Sequence, residues 1–150
     1  MKVIIDADGC PVVKQAVEIS KEYNIEVLIV KNYAHQIEDD YATIVTVDIS
    51  SDSADYYIAN HTGRGDIVIT QDYGLAAMSI SRGAICINQN GLIISDRNID
   101  SLLSRRHINR EARKKDGKYT KFKKRSSGDD LKFEESFKKL IERKKDNDYK

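Results

Sequence analysis

The sequence predicts an α/β fold: an open, mostly parallel five-stranded sheet flanked by helices, followed by a basic C-terminal helical extension. Three observations carry this. Short Val/Ile runs alternate with segments of helical periodicity through residues 1–103. Those runs lack polar alternation, as strands covered on both faces do. Strands separated by helices build parallel sheets, because a parallel pair needs a crossover connection. A chain of 150 residues, 40% hydrophobic, holds one domain with a real core and is short for two.

Each element has its own signal. "VIID" reads as the first, buried strand. Val12, Ala16, Ile19 and Tyr23 then recur at helical spacing, with Pro11 suited to the first helical turn. "EVLIV" and "TIVTV" are the second and third strands, and "SADYYIANH" a short helix that His61 ends. "DIVIT" is the fourth strand, "LAAMSIS" a helix ended near Gly83, and "AICI" the fifth strand. Beyond "NGLIIS" the character changes. Residues 98–115 form a polar helix with a weak apolar stripe of Ile99, Leu102 and Leu103, and "KKDGKYTKFKKRSSGDD" reads as a loop. In "DLKFEESFKKLIERKK" the positions Leu131, Phe133, Phe137, Leu140 and Ile141 make an amphipathic helix that should dock on the core. The organisation is therefore a 1–103 core and a 104–150 extension within a single domain.

No apolar run approaches the ~20 residues of a membrane span, which argues against a membrane role. "MKVIIDADG" meets acidic residues too early for a signal peptide, and two cysteines, Cys10 and Cys86, are too few for a disulfide framework. A reducing cytoplasm is the expected compartment. The net charge of +1 hides an asymmetry. Residues 1–103 carry 7 Lys+Arg against 15 Asp+Glu, and residues 104–150 carry 18 against 9. Such a split points to a polyanion partner.

Ligands of open parallel sheets bind outside the C-terminal ends of the strands. Asp6 and Asp8 follow the first strand, Asp52 and Asp55 the third, and Asp72 the fourth, whereas Asp66 precedes the fourth and belongs to the opposite rim. Singly, each acid has a structural explanation: Asp52 as an N-cap with Asp55 as its capping-box partner, Asp72 as another cap. Together on one rim they repel and call for a counter-charge. Mg²⁺ or Mn²⁺, which prefer oxygen ligands and keep several waters, would supply it.

"DADGCPV", "SDSADYYI" and "GDIVITQDYGLA", in that order and spacing, resemble the YaiI/YqxD family of uncharacterised bacterial proteins, itself similar to PIN-domain nucleases. The resemblance spans roughly residues 3–107. It implies a PIN-like sheet and an acidic Mg²⁺/Mn²⁺ site on Asp6, Asp8, Asp52, Asp55 and Asp72. PIN nucleases often place a further acid after the next strand, where this chain has Asn88. Past residue 107 the family often has a Gly/Pro-rich segment, where this chain is rich in Lys and Arg.

The expected chemistry is metal-assisted phosphodiester hydrolysis. Asp6 and Asp72 would be the principal ligands, Asp8, Asp52 and Asp55 direct or water-bridged ones, and Asp55 or Asp8 would orient the water. Two alternatives stand beside it. "DADG" after an apolar strand also resembles haloacid-dehalogenase-type phosphatases, with Asp6 as nucleophile, although "TQDYGLAA" has one acid where those carry a pair. A non-catalytic RNA- or protein-binding module would use the acids only as caps. Cys10 lacks a Cys-x5-Arg phosphate loop and reads as a small residue at a tight turn, and Cys86 as core.

Arg105, Arg106, Arg110, Arg113, Lys114, Lys115, Lys118, Lys121, Lys123, Lys124 and Arg125 are interleaved with Tyr119 and Phe122. Such a segment suits RNA or single-stranded DNA, through phosphate contacts and base stacking. A solvated face would look the same in composition. The loop "YAHQIEDDY" is placed along the cleft; His35 and His107 have no assigned role, and homo-oligomerisation is left open.

Overall fold

The computed structural model describes residues 1–50, 53–116 and 124–148, with the side chains of 113–116 and 148 outside the description. Six strands form one sheet: β1 (Lys2–Asp6), β2 (Glu26–Asn32), β3 (Thr43–Val47), β4 (Ile67–Ile69), β5 (Ile85–Ile87) and β6 (Ile93–Ile94). Five helices accompany them: α1 (Val13–Glu22), α2 (Ser53–His61), α3 (Tyr73–Ser81), α4 (Ile99–Asp116) and α5 (Ser127–Asp148). The strand order is β3-β2-β1-β4-β5-β6. β1 pairs parallel with β2 and β4, and only β6 is antiparallel, on β5. Among the described residues no helix is long and apolar enough to cross a membrane.

The expected α/β architecture is present, with one more strand than the sequence showed. Ile93 and Ile94 return along β5 after the turn at Asn88–Leu92, and two residues are too few for a periodicity signal. Two boundaries differ as well. Val12 rather than Pro11 adjoins the first turn of α1, so Pro11 lies in the preceding turn. Leu131 is 58% exposed and does not join the core, although it lies on the amphipathic stretch.

Unbroken Val/Ile strands are explained by burial on both faces. Val3 and Ile5 pack on one face with Ala16 and Ile19 of α1 and with Phe133, Phe137 and Ile141 of α5. Ile4, between them, faces the other way, toward Ile58 of α2, Leu75 of α3 and Ile99 of α4. The basic half of the chain is thus not an appendage. Phe133 and Phe137 are wholly buried, with ring centroids 5.4 Å apart.

The β5–β6 turn is clamped to α5. Ser136 Oγ donates to the Gly91 carbonyl at 2.6 Å, and a Cβ on Gly91 would stand 2.8 Å from the Lys132 carbonyl oxygen. With φ at +88° as well, only glycine fits there.

Candidate functional site

The winding of the sheet reverses between β1 and β4: β2 and β3 lie on one side of β1, β4 and β5 on the other. Helices leave in opposite directions at such a switch point and open a crevice at the strands' C-terminal ends. Asp6 ends β1, and Thr70 follows β4 there. Thr70 Oγ1 donates to Asp6 Oδ2 at 2.8 Å and accepts from the Asp72 amide at 3.0 Å, so one hydroxyl links the two loops.

Asp6, Asp8, Cys10, Thr70, Gln71 and Gln89 line a small cavity of about 30 Å³ at this crevice. Asp8 is held from β2, its two carboxylate oxygens each 3.1 Å from the Asn32 amide. His35 Nε2 lies 3.7 Å from Asp8 Oδ1. Asp72 caps α3, with Oδ1 accepting from Gly74 N at 2.8 Å and Leu75 N at 3.2 Å, and the Arg106 guanidinium stands 3.6 Å from that oxygen. Burial pushes the Asp6 carboxyl up to about 6; the Thr70 hydrogen bond opposes the rise, and the charges of Asp72 and Asp8 add to it.

The predicted acids therefore separate. Asp6 and Asp8 share the cavity, and Asp72 acts on Asp6 through its charge while serving as the cap expected of it. Asp6 lines the cavity with Asp8, and not with Asp72 as its expected fellow principal ligand. Asp55 sits half-buried in the first turn of α2 and does not line this cavity. Asp52 lies outside the described residues. Asp66, on the opposite rim, accepts from Lys2 N at 3.0 Å, Lys2 Nζ at 2.8 Å and Gly63 N at 2.8 Å.

Sequence reasoning missed Gln89. Asn88 stood out as the replacement for a further acid, but its side chain is spent on the turn, accepting from Asn90 N and Leu92 N. The next residue lines the cavity instead, and Gln89 Oε1 is buried without a hydrogen-bond partner among the described residues. The signal was available only as a one-residue choice at the end of a strand, where direction alternates.

Among the described residues no group of three or more His, Cys, Asp or Glu side chains is arranged to hold a metal ion. The donor set nevertheless suits Mg²⁺ or Mn²⁺. It consists of two carboxylates, one of them disfavoured as a lone anion, a hydroxyl and an orphaned amide oxygen, all hard ligands. Mg²⁺ is usually held by one or two carboxylates with waters completing its shell, so a three-acid cage is not required. Burial raises the thiol pKa of Cys10 and that of Cys86, the latter to about 12, which disfavours both thiolates.

The basic residues also divide. Arg105, Arg106 and Arg110 are exposed on α4, and Lys124 is exposed before α5. Arg125 is committed to the fold instead, donating to Asp130 at 2.7 Å, Asn90 at 2.9 Å and the Gln89 carbonyl at 2.7 Å. It is thereby withdrawn from the expected polyanion-binding set. The side chains of Arg113, Lys114 and Lys115, and the whole of Lys118, Lys121 and Lys123, lie outside the described residues. The 35–39 loop does border the crevice, lining a cavity of about 520 Å³ with Gly9 and Cys10.

The family model described as "Uncharacterized BCR, YaiI/YqxD family" matches residues 4–143. That span passes residue 107 and reaches into α5, beyond the roughly 3–107 of the resemblance. A UPF0178 protein of Alkaliphilus oremlandii is 54% identical over 134 residues, covering 89% of this chain and 86% of its own. One from Natranaerobius thermophilus is 44% identical, covering 94% and 96%. Another, from Exiguobacterium sibiricum, is 44% identical over 97% of this chain and all of its own. No solved structure matches.

Proposed function

We propose that this chain, which belongs to the YaiI/YqxD family of uncharacterised bacterial proteins, is a nuclease that requires Mg²⁺ or Mn²⁺ and hydrolyses phosphodiester bonds of RNA or single-stranded DNA. One observation carries the reading: Asp6 and Asp8 line one cavity at the β1/β4 switch point, where burial, with the charges of Asp72 and Asp8 beside it, raises the Asp6 pKa and disfavours its anion. Asp6 and Asp8 would hold the cation, and the chemistry it would supply there is charge neutralisation at the scissile phosphate and a more acidic bound water.

The chain's own groups supply the rest. Thr70 fixes the Asp6 carboxylate and the Asn32 amide fixes Asp8, so neither must be reoriented on binding. Gln89 adds a neutral oxygen donor inside the cavity. Arg106, beside Asp72, and Arg105 and Arg110 on the same helix offer cations to the flanking phosphates. The likeness of the motifs to PIN-domain nucleases supports the same assignment.

The test incubates purified protein with labelled single- and double-stranded RNA and DNA in Mn²⁺, Mg²⁺ or EDTA, with Asp6→Asn alongside to exclude a contaminating nuclease. Cleavage that needs the cation and is lost in Asp6→Asn is expected. Binding without cleavage would instead identify a binding module, and hydrolysis of small phosphate esters through an alkali- and hydroxylamine-labile phospho-Asp6 a phosphatase.

A further inference from the structure

We propose that the cavity at the end of β3 is a stacking site for an unpaired nucleobase, with Tyr33 and Tyr56 supplying ring faces and Asp48 a hydrogen-bond acceptor. Tyr33, Val47, Asp48, Ser53, Tyr56 and Tyr57 line this space of about 470 Å³, within the ~300–1,000 Å³ usual for small-ligand sites. The choice of a nucleic acid rests on the nuclease reading above; the site itself is assigned by its own chemistry.

Tyr33 is 67% exposed and Tyr56 61%, although large aromatic rings are costly to leave in water. Tyr57 stacks on His61 with centroids 3.9 Å apart, whereas among the described residues neither Tyr33 nor Tyr56 stacks on another ring. Two exposed aromatic side chains beside one cavity are a recurring device for holding bases of a single strand, because every base has a π-face. The acid on the wall decides which part of a nucleotide enters. Asp48 repels a phosphate and accepts from a base N–H.

Position connects the platform to the acidic cavity. Asn32, whose amide holds Asp8, precedes Tyr33 directly and pairs in register with Val47. The line Asp8–Asn32–Val47 therefore crosses the rim from β1 to β3, two strand spacings or about 10 Å. A strand with a phosphate at Asp6 and Asp8 would lay a neighbouring base on the tyrosines, and a base stacked inside a duplex has no free face to offer them. Single-stranded substrate is the consequence.

The experiment measures fluorescence anisotropy of a labelled ten-nucleotide oligo-U RNA with cleavage-resistant phosphorothioate linkages, and of a DNA duplex of equal length and linkage, with the full chain in Mn²⁺. Tyr33→Ala and Tyr56→Ala are each expected to weaken single-strand binding by about 5- to 100-fold. Tyr33→Phe and Tyr56→Phe keep the ring and stay within about twofold of the parent, and duplex binding does not respond to any of the four. Both positions are exposed, so unchanged thermal melting will certify the fold.

Alanine variants that bind like the parent, phenylalanine variants as weak as alanine, or a parent that binds no oligonucleotide would overturn the site. So would a doubled mass in light scattering that Tyr33→Ala abolishes, since a second copy would then cover the patch. The two readings fail separately. Tyrosine-dependent binding with no cleavage in Mn²⁺ sinks hydrolysis alone, and cleavage indifferent to both alanine variants sinks the platform alone.

Discussion

Thr70 Oγ1 donates to Asp6 Oδ2 at 2.8 Å, joining the ends of β4 and β1 where the sheet reverses its winding. The bond stabilises the Asp6 anion, yet burial and the charges of Asp72 and Asp8 outweigh it, and the carboxyl is pushed up to about 6. The fold therefore stores a liability at this point that a cation would relieve.

Asp6→Asn should make the metal-free protein more stable at pH 8, by up to about 3 kcal/mol, the equivalent of the pKa rise. The sign follows from a folded-state pKa above the unfolded one. The parent's penalty is absent below about pH 4, grows as pH climbs toward 6, and is complete above it. Urea unfolding of both proteins at pH 4 and pH 8 checks this, and a gap of equal size at both would contradict the origin assigned to it.

Mn²⁺ should raise the melting temperature of the parent with the logarithm of its concentration above Kd, adding about 2.7 kcal/mol of stability at a hundredfold excess. Asp6→Asn should show little of that shift. Gln89→Leu should reduce it while leaving the metal-free protein as stable as before, since the replaced oxygen has no described partner. Titration calorimetry reads the uptake directly, and no heat with Mn²⁺ or Mg²⁺ would remove the metal from the account.

Asp66→Asn tests the other rim. Burial alone would raise the Asp66 pKa, but the hydrogen bonds and charge of Lys2 and the Gly63 amide together outweigh it and hold the carboxyl below its usual value. Its contribution is present above the unfolded carboxylate's pKa and is lost as pH falls through the folded one. The variant should lose about 1–3 kcal/mol at neutral pH while cleavage per folded molecule is unchanged. A loss of turnover as deep as that of Asp6→Asn would mean that the rim assignment is wrong.

Phe137→Ala should cost about 3–5 kcal/mol, as expected for a wholly buried aromatic ring. Because Phe137 packs with Val3 and Ile5 of the central strand, unfolding should remain one cooperative transition followed by far-ultraviolet circular dichroism. A separate early transition for α5 would show the basic half folding apart from the sheet.

The layers and the rim were legible in the order of residues alone. Unbroken runs such as "VIID" and "DIVIT" can lie only in a sheet covered on both faces, and acids that follow parallel strands must share one edge. Asp66 was assigned to the far edge on that logic, and its bonds to Lys2 bear the assignment out. The short return strand at Ile93–Ile94 was not legible, since two residues have no period to read.

Only the tertiary structure decided which polar groups meet. Asp8 rather than Asp72 shares the cavity with Asp6, because the α3 amides claim one Asp72 oxygen while Asn32 of the neighbouring strand draws Asp8 inward. Gln89 rather than Asn88 enters it, because the β5–β6 turn uses the asparagine. Arg125, one cation among eleven in its segment, is tied to that turn. Hydrophobic periodicity is a local, repeating signal and survives in one dimension. A hydrogen-bond partner is a single event between distant residues, fixed by strand register and helix ends, and no spacing in the chain encodes it.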